Sequence, residues 1–257
     1  MKDVVVGQGG GGLSGADAGS RAGAGAARVG RGFVRKHAAS FWLGMLFFLA
    51  RRAPAMLRWG KPLGVFFAAK CSHVIQDATG KNARRIYGSI SEKQRRQFTW
   101  RVTEHFYDFV ADVGRAMTWT REQMLEQVVA VEGKEHYDAA RALKRGAIVA
   151  TAHMGSFEVG LASLVSMEKN VHVVFRRDAE DPFEGIRNVV RQRLGVNESP
   201  VDEGWGLWVR LRDALLRDEV VVIQGDRVMP GQKGQRVEFL GNHIMLPTGP
   251  AKLARAS

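Results

Sequence analysis

The order of apolar runs in this 257-residue chain predicts an α/β fold: a mostly parallel sheet flanked by helices, with an N-terminal helical, membrane-associating extension. Three observations carry that reading. After residue 128, short β-branched runs alternate with longer segments of helical period. Between residues 31 and 127, basic and apolar helical segments prevail. The first 32 residues hold eleven of the 30 glycines, a composition that cannot bury enough apolar surface to offset the entropy of ordering. One sizeable core with an attachment fits this length better than two independent domains.

The elements follow in chain order. Residues 1–30 read as a flexible Gly-rich leader, without the basic start, apolar middle and small-residue cleavage site of a signal peptide. Residues 31–127 read as a basic, membrane-associating helical region. Within it Phe41 to Ala50 is wholly apolar, bracketed by Arg35 and Lys36 before and by Arg51 and Arg52 after. Ten helical residues rise only about 15 Å, half a bilayer core, so an interfacial anchor with basic ends is expected rather than a span. A second apolar patch, PLGVFFAAKCSHVI, could lie beside it, and an ordinary pair of core helices is the alternative. Ser91 opens a capping box, SEKQ, and Thr120 another, TREQ. Phe98, Val102, Phe106, Phe109 and Val113 recur at helical spacing, a stripe expected to pack in a core.

Residues 128–257 read as the α/β core. VVAVEG, AIVATAH, VHVVFRR, EVVVIQGD and RVEFL are the strand candidates. KEHYDAARALKRG, SFEVGLASLVSME, DPFEGIRNVVRQRLG and GWGLWVRLRDALLRD are the helices, and PTGP precedes one more. In open α/β sheets the sites form beyond the carboxyl ends of strands. Three such ends carry reactive groups: Ala152 and His153, Arg176 and Arg177, and Gly225, Asp226 and Arg227.

The formal charge of +12 is concentrated: residues 31–101 hold fifteen Lys or Arg against Asp77 and Glu92, about +13. Such a stretch attracts polyanions, whether an anionic membrane leaflet, nucleic acid or an acidic protein, or it is simply a solvated face. No zinc-finger or RNP pattern supports nucleic acid. The single cysteine, Cys71, excludes an internal disulfide, and the seven histidines show no metal-ligand spacing, so neither metal nor other cofactor is expected.

His153 and Glu158 are the candidate catalytic pair. A histidine with an acid five places on is expected about 0.7 times by chance here, so context must discriminate. On one continuous helix the two would lie some 140° apart. If His153 ends a strand, Gly155 turns the chain and Ser156 caps a helix, the carboxylate returns toward the imidazole. It could then hold one ring nitrogen protonated while the other takes a proton. A loop histidine beside a helix N-terminal charge is the alternative. No G-x-S-x-G elbow offers a nucleophilic serine. Arg176 and Arg177 are guanidinium forks suited to phosphate, carboxylate or a developing oxyanion, or are surface charges. Asp226 and Arg227 read equally as a local salt bridge.

HMGSFE at His153–Glu158, FRR at Phe175–Arg177, QGDR at Gln224–Arg227 and VEFLGNHIMLPTGPAKLA at Val237–Ala254 together resemble the bacterial lipid A biosynthesis acyltransferases, within the glycerolipid acyltransferase superfamily. The resemblance implies transfer of a fatty acyl group from acyl carrier protein, or coenzyme A, to a membrane-lipid hydroxyl at the cytoplasmic face of the inner membrane. It implies His153 as the base and Glu158 as the residue that orients it. Arg176, Arg177, Asp226 and Arg227 would then hold the acceptor or steady the transition state. Relatives continue beyond LARAS, so a C-terminally incomplete core is expected, with a non-catalytic membrane binder or inactive fragment as the other reading.

Overall fold

The computed structural model describes residues 44–46, 48–50, 52–177, 182–229 and 231–257. The leader at residues 1–30 and much of the Phe41 to Ala50 run lie outside them. Residues 45–257 form one compact unit. Its elements are α1 (Pro54–Cys71), α2 (His73–Tyr87), α3 (Glu92–Ala116), α4 (Arg121–Leu125), α5 (Lys134–Ala142), β1 (Ala147–Thr151), α6 (Phe157–Met167), β2 (Val171–Phe175), α7 (Pro182–Leu194), β3 (Asn197–Pro200), α8 (Trp205–Leu216), β4 (Val220–Gln224), β5 (Gly234–Phe239), β6 (Asn242–Pro247) and α9 (Gly249–Ala256).

Four strands make a parallel sheet in the order β1-β4-β2-β3. The chain reaches β4 last of these, yet β4 lies between β1 and β2. Its run VVVI is apolar at every position because helices cover both faces. Successive side chains alternate between those faces. Val220 and Val222 join Val171 and Val173 against Leu161 and Ala162 of α6 and Val190 of α7. Val221 and Ile223 join Val174 against Leu207, Leu211 and Leu215 of α8 and Leu253 of α9. β1 enters this sandwich so close to the end of α8 that a Cβ on Gly146 would lie 2.3 Å from the Leu215 carbonyl oxygen.

The strand expected at VVAVEG is absent, and Val129 is fully exposed there with no neighbouring strand to pair it. β3 replaces it as a fourth strand, at the edge beside β2, where the closing Pro200 can be tolerated. RVEFL pairs with NHIMLP as an antiparallel hairpin outside the main sheet. Its two-residue loop, Leu240 and Gly241, has φ of 50° and 69°, the left-handed pair that matches strand twist.

Both capping boxes form, at Ser91 on α3 and Thr120 on α4. The aromatic stripe of α3 does not become core as expected: Val113 is buried, but Val102 and Phe106 are exposed. The helix instead turns Thr99, Thr103 and Val110 inward. Small residues on the facing helices allow close approach, and a Cβ on Gly64 of α1 would already meet the Tyr107 ring at 3.1 Å. Polar groups finish the contact: the Thr79 and Thr99 hydroxyls bond at 2.7 Å, Tyr107 Oη donates to the Leu57 carbonyl at 2.8 Å, and Lys61 Nζ donates to Asp108 at 2.8 Å. Short polar side chains thus take the contact between α2 and α3, while the Tyr107 ring packs against α1 opposite Gly64.

Leu211 is fully buried in the α8 face of the sheet. Leu211→Ala is expected to cost about 2–5 kcal/mol, and Gly146→Ala about 1–3 kcal/mol by overpacking. Urea denaturation reads both as a lowered midpoint at unchanged slope.

Candidate active site

β1 and β4 pair in register with Thr151 opposite Gln224, and the Gly225 amide extends the ladder by donating to the Thr151 carbonyl at 2.8 Å. Two residues further along each strand the chain carries His153 and Asp226. The register therefore brings them side by side, although 73 residues separate them. Asp226 Oδ1 lies 2.8 Å from His153 Nδ1, and Asp226 Oδ2 accepts from the His153 amide at 3.1 Å. One carboxylate thus fixes both the ring and the backbone that carries it. Arg227 Nη2 meets the other ring nitrogen, Nε2, at 3.0 Å. With Asp226 ionised, Nδ1 carries the proton and Nε2 presents its lone pair. Burial works to raise the Asp226 pKa, but the hydrogen bonds from His153 outweigh it and hold the carboxyl below its ordinary range.

His153 and Arg227 line a cleft of about 1030 Å³ at the carboxyl ends of the central strands. The size suits a ligand of many heavy atoms. Its apolar wall includes Phe157, Phe175, Trp208 and Ile223, while Arg176, Arg187, Arg191 and Lys252 supply positive charge. Glu184 is the only carboxylate among the described residues that line it. Arg191 is buried, its guanidinium 3.9 Å above the Phe175 ring and paired with Glu184 at 2.7 Å.

The expected site residues therefore separate into groups. His153, Asp226 and Arg227 converge, and Arg176 joins them on the cleft wall. Arg177 points instead to the turn after β3, pairing with Asp202 at 2.9 Å and Glu203 at 3.4 Å. Gly155 turns the chain with φ 60°, and Ser156 takes the N-cap position of α6, though its hydroxyl makes no capping bond. Glu158 follows in the first turn, as anticipated, but is almost wholly buried. Neither of its oxygens has a hydrogen-bond partner among the described residues, so it does not bond the imidazole. Its Oε1 faces Arg187 Nε at 3.7 Å. Burial pushes its pKa up, against the opposing charges of Arg187 and Arg191.

Arg187 and Arg191 were not singled out in the sequence. Their spacing of four within DPFEGIRNVVRQRLG places them on one helix face, which is the signal available for them.

An α/β layer with a histidine, an acid and arginines gathered beyond parallel strand ends defines a protein whose charged groups stand where open α/β sheets bind their ligands. Its family follows from comparison: residues 33–257 match the bacterial lipid A biosynthesis acyltransferases, and the chain belongs to that family. Two phosphatidylinositol mannoside acyltransferases of Mycobacterium tuberculosis are similar. That of strain CDC 1551 / Oshkosh is 28% identical over 153 residues, 59% of this chain and 48% of the relative. That of strain ATCC 25618 / H37Rv is 29% identical over 133 residues, 51% of this chain and 41% of the relative. In these alignments the chain spans about half the length of the curated relatives it matches.

Glu158 has a testable effect on stability. Its folded pKa lies above the ordinary 4.5, so the folded state holds the proton more tightly than the unfolded one. That advantage is complete below pH 4.5 and is lost as pH rises toward the folded pKa. Glu158→Gln, which has no such proton to lose, is expected to gain stability relative to wild type as pH rises. Urea denaturation between about pH 4 and pH 8 measures the widening difference.

Proposed function

We propose that this protein transfers a fatty acyl group from a thioester donor, acyl carrier protein or acyl coenzyme A, to a hydroxyl of a membrane glycolipid. The observation that supports it best is His153, held by Asp226 at Nδ1 and presenting Nε2 to a large cleft. The acceptor hydroxyl replaces Arg227 at Nε2 and gives up its proton there. The resulting alkoxide attacks the thioester carbonyl, and the oxygen of that carbonyl takes the negative charge. Arg227, displaced by the substrate, and Arg176 supply cations for this oxyanion. Collapse expels the thiolate, which takes the proton back from the imidazolium. Every proton and electron pair is accounted for without a metal or cofactor. A lipid A precursor or a related glycolipid is the acceptor class, the latter favoured by the names of the mycobacterial relatives.

The proposed location is the cytoplasmic face of the inner membrane. Among the described residues no helix is long and apolar enough to cross a bilayer. α1 instead exposes Met56, Trp59, Leu63, Phe66 and Phe67 along one side, with Trp59 at 87%. Exposed Arg52, Arg58 and Lys70 accompany them. Such a helix lies in the interface, its apolar side among acyl chains and its cations among anionic headgroups. The same positive surface favours a negatively charged carrier protein.

His153→Ala is expected to lower acyl transfer by about 10² or more, and a loss under about tenfold would refute the general-base role. Asp226→Asn should reduce the rate while leaving the fold intact, since it preserves shape but not the tautomer. In flotation with anionic vesicles the chain should rise with the lipid, and Trp59→Ser with Leu63→Ser should leave it in the soluble fraction. Equal flotation of that variant would remove α1 as the anchor.

A further inference from the structure

The hairpin β5–β6 stands outside the main sheet, and no residue from Gly234 to Pro247 is buried. A two-stranded hairpin left alone in water is at best marginally stable, so its apolar side chains need a partner. Its register sorts those side chains by face. Val237 stands opposite Ile244, Gln235 opposite Leu246 and Phe239 opposite Asn242, which gathers the aliphatic groups and the phenyl ring on one face. Arg236, paired with Met245, and Glu238, paired with His243, take the other. The apolar character reaches the very end of the hairpin, where Phe239 is 52% and Leu240 54% exposed. Leu240 holds φ 50° in a two-residue loop whose backbone suits Asn followed by Gly, and a β-carbon is strained there. A large apolar side chain in a strained, solvated turn adds nothing to the strand ladder. What it offers is a projecting apolar point.

We propose that Phe239 and Leu240 enter the acyl region of an anionic bilayer while Arg236 stands at headgroup level, a second membrane contact besides α1. The proposal rests on the membrane-surface reading above for its occupant. Size and charge favour lipid over protein. The two tip side chains offer roughly 200 Å², against about 800 Å² per partner in a stable protein interface. A second copy would bring the same positive charge, +12 over the chain, whereas an anionic leaflet attracts it. Locally, Lys233 and Arg236 outnumber Glu238. Spacing agrees: three residues of strand put Arg236 about 10 Å behind Phe239, the depth to which interfacial groups enter the boundary between headgroups and acyl chains. Behind the open end of the hairpin, Lys233 and Pro247 line the cleft. Seating the tip in lipid therefore holds the cleft close to the surface from which a lipid acceptor enters.

The test is flotation of the full chain with vesicles of phosphatidylglycerol and phosphatidylcholine, with pure phosphatidylcholine as the uncharged reference. Leu240→Asn is expected to weaken binding to both about fivefold, and Phe239→Ser/Leu240→Asn about thirtyfold, as half-exposed side chains lose an apolar medium. Arg236→Gln should weaken binding to the anionic vesicles alone, by about fivefold. Leu240→Asn should also melt no lower than wild type, because Asn suits the left-handed position. A weaker lipid contact at undiminished stability therefore excludes misfolding as its cause. Binding of the double variant equal to that of wild type would overturn the hairpin contact and leave α1 as the anchor. Failure of wild type to float would instead overturn the membrane reading itself. A wild-type dimer in sedimentation that Phe239→Ser/Leu240→Asn converts to monomer would assign the tip to a second copy and overturn the lipid occupant.

Discussion

The parallel ladder between β1 and β4 is the constraint on which the site depends. Thr151 stands opposite Gln224, so the two strands leave the sheet at the same level, and the next residues of each are forced to share space. A slip of two residues would move Asp226 by nearly 7 Å and strand the imidazole without its partner. β4 is apolar at every position, so its register is held by how its side chains pack into the helix layers on both faces. Packing of valines and leucines in the sheet therefore sets the geometry of a histidine that lies outside it.

Charge in this molecule follows a division of labour. The carboxylates beside α7 face its arginines: Glu158, buried in the first turn of α6, toward Arg187, and the partly exposed Glu184 and Glu198 toward Arg191. Elsewhere Arg141 ties α5, which buries no residue of its own, to Glu168 at 2.8 Å and to Asp218 at 2.5 Å. That cluster lies beyond the opposite ends of the strands and anchors a helix whose apolar contact with the core includes the partly buried Tyr137. Among the described residues that line the cleft, cations outnumber the single carboxylate, Glu184. A surplus of positive charge held against its own repulsion costs stability, and sites that bind anions characteristically carry that cost.

Much of the fold was legible from local pattern. The runs AIVAT, VHVVF and VVVIQ are β-branched and bounded by turn residues, and each became a strand. SEKQ and TREQ became caps because the capping box is satisfied within four residues. The failures were of contacts, not of propensity. VVAVEG has the composition of a strand and no neighbour, whereas NESP has little strand character and gains one from β2. Large rings usually enter cores, yet α3 turns Thr99 and Thr103 inward and leaves Phe106 exposed.

The site divides along the same line. Sequence alone determined that His153, Arg176 and Asp226 with Arg227 follow strand ends, since apolar runs and turn residues mark where strands stop. It also determined the turn at Gly155 and the place of Glu158 in the first turn of a helix, because both are local. Only the tertiary structure decided partners. Asp226 reaches His153 across 73 residues because β4 inserts beside β1, and Glu158 faces Arg187 because α6 and α7 share one face of the sheet. Strand order and register are set by the sum of packing over the whole sheet, and no short stretch of sequence contains that sum.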